Sequence, residues 1–119
     1  MVDVLLIDDE MHFLKSLAEG LHLYSKKLTI ITANGGEKAL EILKTAVVDV
    51  VVTDLNMPGM DGFEFLRQVQ QARPRVPVII MSAYARPHVE ARLKDLQFAL
   101  YLEKPLDLDE IGHAILAVT

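Results

Sequence analysis

The segment at residues 47–52 constrains the fold more than any other part of the chain, because five of its six residues are valine. The run is short for a helix and apolar on both faces, which is typical of a strand buried in a parallel sheet. Asp54 follows where this strand should end, and residues 56–62 then have the composition of a loop and a helix start. Because ligands bind beyond the carboxyl ends of strands in open parallel sheets, Asp54 is placed for chemistry.

Four other short apolar runs predict strands at residues 2–7, 28–32, 78–81 and 98–102. Segments with the i, i+3, i+4, i+7 spacing of amphipathic helices follow each strand, and Pro87 suits the first position of the fourth helix. Three pairs have the spacing of a capping box, namely Asn34 with Glu37, Asp61 with Glu64 and Asp107 with Glu110. Five strands alternating with five helices predict a doubly wound α/β fold, with helices on both faces of a parallel sheet.

Composition excludes several classes of site and partner. A chain of 119 residues has the usual size of a single domain with a real core. Its net charge of −5, without a basic run, gives no electrostatic support for binding nucleic acid or an anionic membrane. The absence of cysteine excludes disulfides and thiolate metal sites. No apolar run approaches the roughly 20 residues of a membrane span, and acid stands where a signal peptide carries base, so we predict a cytoplasmic protein.

Polar residues end four of the predicted strands: Asp8 and Asp9 the first, Asp54 the third, Ser82 the fourth and Lys104 the fifth. Crowded carboxylates repel one another unless a positive charge stands between them. Oxygen ligands without histidine or cysteine suit Mg²⁺. A carboxylate can also attack a phosphoryl group and form an acyl phosphate, with a metal ion on one side and a fixed cation on the other. The pattern therefore favours magnesium-dependent phosphoryl chemistry at one edge of the sheet.

These motifs resemble the receiver domain of the bacterial response-regulator family. In chain order, they are the Asp8-Asp9 pair, Asp54 in TDLNMPGMDG, Ser82 in MSAYA, Tyr101 and the Lys104-Pro105 pair. The resemblance spans nearly the whole chain. It implies a flavodoxin-like sheet of strand order 2-1-3-4-5, and a phosphorelay component rather than an enzyme.

The resemblance also implies roles for individual residues. Asp54 would accept a phosphoryl group from a histidine kinase or histidine phosphotransfer protein and lose it slowly by intrinsic hydrolysis. Magnesium would be held by Asp54, by Asp9 directly, by Asp8 directly or through water, and by the backbone carbonyl of Asn56. Lys104 would pair with the phosphoryl group, and a cis peptide bond before the following proline would aim it.

The implied output is a conformational switch. Ser82 would move toward the phosphoryl oxygen while Tyr101 turns inward. The change would alter a surface formed by the fourth helix, the fifth strand and the fifth helix. An output domain or effector protein would read that surface, and the family commonly forms homodimers through it. The last predicted helix stops at Thr119 without a glycine or a basic final turn. This ending favours a receiver domain of residues 1–119 cut from a longer response regulator or hybrid kinase. The alternative is a naturally short chain.

Several residues depart from the usual pattern of the family. Ser82 stands where threonine is also common, so the hydroxyl is kept. Asn56 and Tyr84 occupy positions at which the family tunes hydrolysis of the acyl phosphate. We expect the bulky Tyr84 to shield the phosphoryl group from water and to lengthen its life. Leu106 replaces a common phenylalanine, which changes packing more than chemistry.

Each site residue also has a purely structural alternative. Asp8 or Asp9 could cap the first helix, and Asp54 could form an ordinary turn. Ser82 could be a strand-end hydroxyl bonded to the backbone, and Lys104 a solvated surface charge. The predicted clustering of the acids and the lysine at one edge of the sheet favours the functional interpretation.

Two other functions stay open at this stage. A haloacid-dehalogenase-like phosphatase also uses an aspartate nucleophile, magnesium and lysine, but it needs Asp-x-Asp after its first strand. This chain has the adjacent acids Asp8 and Asp9 there, and Asn56 stands where a second carboxylate would follow Asp54. The other alternative is a receiver-like interaction module that no longer takes phosphate, against which the intact set of acids and lysine argues.

Overall fold

Strands and helices alternate in a computed structural model of the chain, which describes residues 1–57 and 59–119. Pro58, in the loop predicted after Asp54, lies outside the described residues. The strands are β1 (Val2–Ile7), β2 (Leu28–Ala33), β3 (Val50–Asp54), β4 (Val78–Ser82) and β5 (Leu100–Glu103). The helices are α1 (Met11–Tyr24), α2 (Gly36–Thr45), α3 (Gly62–Ala72), α4 (Arg86–Leu93) and α5 (Leu108–Val118). None of the helices within the described residues is long and apolar enough to span a membrane.

The five strands form one parallel sheet in the order β2-β1-β3-β4-β5, which confirms the predicted doubly wound, flavodoxin-like fold. In the register, Ile7 of β1 lies beside Thr53 of β3, and Asp54 lies beside Met81 of β4. The carboxyl ends of the central strands are therefore level with one another. This register gathers the residues that follow each strand at one edge of the sheet.

Each face of the sheet has its own apolar core, because successive side chains of a strand point to opposite faces. On one face, Val4 and Leu6 of β1 pack with the buried residues of α1 and α5. On the other face, Leu5 and Ile7 pack with those of α2, α3 and α4. Strands β3 and β4 are buried along their whole length, which explains their near-continuous apolar sequences.

The predicted start of the third strand is wrong by three residues. Strand β3 begins at Val50, and the side chain of Val47 is 84% exposed. The chain leaves α2 at Thr45 and needs the intervening residues to return to the sheet, where Asp49 N donates a hydrogen bond to the carbonyl of Asp3. Valine content alone cannot mark where that return ends. The predicted end of the strand, at Asp54, agrees with the structure.

The aspartate half of two of the three predicted capping boxes is confirmed. The Asp61 and Asp107 side chains accept hydrogen bonds from the backbone N–H groups of Glu64 and Glu110, which satisfies donors that the first turn leaves free. The cap predicted at Asn34 is wrong, because the N-cap of α2 is Gly35 and makes no side-chain hydrogen bond. Strand β5 likewise starts at Leu100, two residues later than predicted.

Candidate functional site

The carboxyl edge of the sheet holds an acidic pocket. Asp8, Asp54 and Ser82 are buried, with 1%, 6% and 0% of their surface exposed, and Asp9 is exposed at the rim. Asp54 is the last residue of β3, Ser82 is the last of β4, and Asp8 directly follows β1. The parallel register brings these ends together, although the residues are far apart in sequence.

Three carboxylates in this pocket lie close enough to share one cation. Asp8, Asp9 and Asp54 each offer an oxygen, and these oxygens all lie within 4.8 Å of one another. Burial raises the pKa of Asp8 above its ordinary value, although a backbone hydrogen bond from Glu10 and the charge of Lys104 oppose the shift. A set of hard oxygen donors with buried negative charge fits Mg²⁺, which is usually held by one or two carboxylates.

Lys104 provides the positive charge of the pocket. Its Nζ donates hydrogen bonds to Oδ2 of Asp54 at 2.7 Å and to Oδ2 of Asp8 at 3.2 Å. Partial burial disfavours the charged form of Lys104, but the hydrogen bonds and charges of the two aspartates outweigh it, so the pKa of Lys104 is raised. The peptide bond between Lys104 and Pro105 is cis, as the resemblance implies.

The remaining oxygen of each buried aspartate is bound by local backbone. Asn56 N donates to Oδ1 of Asp54 at 3.0 Å, and Glu10 N donates to Oδ1 of Asp8 at 2.9 Å. Both are bonds to a backbone N–H two residues further on, the geometry by which aspartate forms turns. The turn alternative is therefore compatible with the functional interpretation, because the oxygen that each local bond leaves free contacts Lys104.

A chain of hydrogen bonds leads from Ser82 to Tyr101 on the neighbouring strand. Ser82 Oγ accepts a hydrogen bond from the backbone N–H of Tyr84 at 3.0 Å. The Tyr101 hydroxyl donates to the carbonyl oxygen of Tyr84 at 2.7 Å. The Tyr84 side chain itself is 45% exposed. The backbone of Tyr84 thus links the two residues that sequence analysis names as the switch.

Sequence reasoning missed two residues that contact this region. The Phe13 ring centroid lies 4.7 Å from Nζ of Lys104. The Glu103 carboxylate accepts a hydrogen bond from the backbone N–H of Arg86, the first residue of α4, at 2.9 Å. Helical periodicity places Phe13 on an amphipathic helix but does not indicate that it contacts Lys104. The position of Glu103 at the end of a strand does not indicate which helix its carboxylate contacts.

Comparison with known proteins finds a family model that matches most of the chain. The family model described as the response regulator receiver domain matches residues 4–116. The transcriptional regulatory protein GlrR of Escherichia coli is 37% identical over 113 residues, which cover 94% of this chain and 25% of that protein. The DNA-binding transcriptional regulator NtrC of Escherichia coli is 41% identical over 85 residues, covering 70% of this chain and 18% of that protein. The chain thus spans about a quarter or less of these relatives.

Solved structures show the same architecture. The chemotaxis response regulator CheY4 of Vibrio cholerae has a TM-score of 0.89 and 26% identity, covering 100% of this chain and 99% of that chain. The response regulator TrrA of Thermotoga maritima, solved in complex with Mg²⁺-BeF, has a TM-score of 0.85 and 25% identity, covering 100% of both chains. The fold therefore has close counterparts among response regulators.

Proposed function

The chain belongs to the family of response regulator receiver domains, and from this premise we propose that Asp54 accepts a phosphoryl group in a phosphorelay. The donor is a histidine kinase or a histidine phosphotransfer protein. The observation that carries the proposal is the 2.7 Å contact of Asp54 with Lys104 in a pocket that also holds Asp8 and Asp9. This arrangement combines a nucleophile with a fixed cation and a cluster of metal-type ligands.

In the proposed reaction, an oxygen of Asp54 attacks phosphorus, the bond from phosphorus to the donor histidine nitrogen breaks, and an acyl phosphate forms. Such transfers depend mainly on positioning and on neutralising charge. Lys104 stabilises the negative charge that develops on the phosphoryl oxygens. Bound Mg²⁺ supplies further neutralisation, and Asp8, Asp9, Asp54 and the backbone carbonyl of Asn56 are the residues that would hold it. The Mg²⁺-BeF complex of the relative TrrA supports this cofactor.

We assign the output to the surface formed by α4, β5 and α5. Ser82 Oγ is occupied by the Tyr84 N–H, so a move of Ser82 toward a phosphoryl oxygen requires this bond to be given up. Tyr101 is held by the carbonyl of the same residue and would be released in the same step. An output domain or effector protein would then read the altered surface. Homodimerisation through it stays a prediction.

Intrinsic hydrolysis completes the proposed cycle. Water attacks phosphorus of the acyl phosphate and releases inorganic phosphate, which restores Asp54. Asn56 and Tyr84 are exposed beside the pocket and are the residues we expect to tune this rate. Residues 1–119 would act as the receiver part of a longer response regulator or hybrid kinase, and the cytoplasmic location stays a prediction from the sequence.

The test is intact-protein mass spectrometry after incubation with acetyl phosphate, with and without Mg²⁺. Wild type should gain one phosphoryl group only when Mg²⁺ is present, and Asp54→Ala should gain none. The matched control is Asp95→Ala, which removes an exposed carboxylate outside the pocket and should behave like wild type.

Three results would contradict the proposal. A folded wild type that never gains the adduct would favour the phosphate-independent interaction module. Catalytic turnover of a generic phosphate ester would instead revive the phosphatase alternative. An adduct retained by Asp54→Ala would show that another residue is the acceptor.

A further inference from the structure

The ring of Phe13 lies against Lys104, the cation that binds the carboxylates of the acidic pocket. Phe13 is the third residue of α1, and its ring centroid is 4.7 Å from Nζ of Lys104, within the roughly 6 Å range of cation–π attraction. We propose that Phe13 is a positioning residue for phosphotransfer, which keeps the Lys104 ammonium in the pocket while the carboxylates are engaged elsewhere. This inference rests on the proposed function of Asp54.

The contacts of Lys104 come from three different elements. Asp54 at the end of β3 and Asp8 after β1 bind its Nζ, and Phe13 of α1 provides the third contact. In the proposed reaction both carboxylates have competing partners, because Asp54 becomes an acyl phosphate and Asp8 would bind Mg²⁺. The Phe13 ring is uncharged and has no such competitor. It is therefore the contact whose strength the reaction leaves unchanged.

The Phe13 ring is itself held in place by the protein core. Phe13 is half-buried and packs against the apolar cluster that α1 and α5 form on one face of the sheet. Lys104, by contrast, has a flexible four-carbon stem, and 24% of its side chain is exposed. Solvent is thus the alternative environment for the ammonium. A fixed ring at its side disfavours that alternative and raises the fraction of molecules with Lys104 at the phosphoryl position.

The first experiment measures the rate of phosphorylation by acetyl phosphate at saturating Mg²⁺, by intact-protein mass spectrometry. Phe13→Leu keeps an apolar side chain without the ring, and we expect the rate to fall by about 2- to 30-fold. Phe13→Tyr keeps the ring and should restore most of the rate. The matched control is Phe98→Leu. Phe98 is also half-buried, and its ring centroid lies 5.3 Å from Cζ of Arg86, but this contact is away from the pocket.

A second experiment detects the contact without any phosphorylation. Protons of the Lys104 ε-methylene should show an upfield ring-current shift in a ¹H–¹³C spectrum of wild type. The shift should disappear in Phe13→Leu and stay in Phe13→Tyr and Phe98→Leu. A wild type without this shift would show that the ring does not lie against Lys104, which would overturn the inference.

The outcomes separate this inference from the proposed function. If wild type is phosphorylated on Asp54 and Phe13→Leu reacts at the same rate, the positioning role is wrong and the phosphoacceptor role stands. If wild type takes no phosphate, the proposed function fails and the positioning role fails with it, whatever the ring-current shift. An equal loss of rate in Phe98→Leu would also overturn the role of Phe13, because the effect would then not depend on contact with Lys104.

Discussion

Helices α3 and α4 follow neighbouring strands of the sheet but are attached to it in different ways. Five of the eleven residues of α3 are buried, and its first turn is capped by its own Asp61. Only two of the eight residues of α4 are buried, Val89 and Leu93, and its N-cap makes no side-chain hydrogen bond. The first N–H of α4 is bound instead by Glu103 of β5. Helix α3 is thus fixed by core packing, whereas α4 depends on contacts from other elements.

Those other contacts of α4 are made by an exposed charged side chain, that of Arg92. Arg92 lies 3.7 Å from the centroid of the Phe63 ring and 3.7 Å from a carboxylate oxygen of Asp61, with more than half of both charged side chains exposed. Exposed ion pairs contribute little to stability. Elements that move are drawn from the less stable parts of a fold. The two helices therefore differ in how much free energy a displacement would cost, and the cost is lower for α4 than for α3. This difference supports the proposal that α4 belongs to the output surface while Asp54, which precedes α3, stays in place.

The largest expected effect tests how tightly α3 is fixed. A Cβ on Gly62 would lie 2.4 Å from the Cα of Leu55, and backbone cannot give way as a flexible side chain can. We expect Gly62→Ala to lower the free energy of unfolding by about 3 kcal/mol, the upper end of the usual cost of overpacking. The control is Gly35→Ala, where an added Cβ meets nothing within 4 Å. Urea denaturation of both variants measures the difference, and equal midpoints would contradict this account of α3.

The next test compares the two N-terminal contacts. Asp61→Ala removes the cap of α3 and should lower the global free energy of unfolding by about 1 kcal/mol. Glu103→Ala removes the acceptor at the start of α4, and we expect amide exchange within α4 to rise about fivefold with little change in the urea midpoint. Glu103→Gln, which keeps an acceptor oxygen, is the control. Exchange that rises equally throughout the protein would show that α4 is not a separately mobile element.

The third test concerns the floor of the pocket. Because burial raises the pKa of Asp8, the folded protein binds a proton there more tightly than the unfolded chain does. The stability due to that proton is present at low pH and is lost as pH rises through the raised pKa, so ionised Asp8 is destabilising near neutral pH. We expect Asp8→Asn to raise the melting temperature in magnesium-free buffer. This is the opposite of the usual effect, since a single substitution typically lowers the free energy of unfolding by about 1 kcal/mol.

Added Mg²⁺ provides the control for Asp8→Asn. A cation that binds only the folded state stabilises it, so Mg²⁺ should raise the melting temperature of wild type more than that of the variant. A lower melting temperature for Asp8→Asn without Mg²⁺ would show that the contact with Lys104 outweighs the cost of burying the charge.

The smallest expected effect concerns Tyr84 on the α4 side. If its exposed ring shields the acyl phosphate, Tyr84→Ala should shorten the phosphoryl lifetime by about threefold, equivalent to ~0.7 kcal/mol in the barrier. Decay of the phosphorylated mass after removal of acetyl phosphate measures this lifetime. Tyr84→Phe keeps the ring and should decay like wild type. A lifetime unchanged in Tyr84→Ala would remove the shielding role.

The accuracy of sequence prediction differed between kinds of feature for physical reasons. The end of strand β3 at Asp54 was predictable, because a buried strand must stop where the sequence becomes polar. The caps at Asp61 and Asp107 were predictable, because side chain and backbone partner are three residues apart. The cap at Asn34 was predicted by the same rule and is absent, because the chain enters α2 one residue later, at Gly35.

The amino-acid sequence by itself determined the alternation of strands and helices and the polar residues at the ends of four strands, because both follow from local hydrophobic periodicity. Only the tertiary structure decided that Asp8 and Asp54 share the ammonium of Lys104. In sequence, Lys104 is separated from Asp8 by 96 positions and from Asp54 by 50 positions. Two further contacts were likewise decided only by the tertiary structure: that of the Phe13 ring with Lys104, and that of the Glu103 carboxylate with the start of α4. Such contacts depend on strand register and helix placement, which no local pattern specifies.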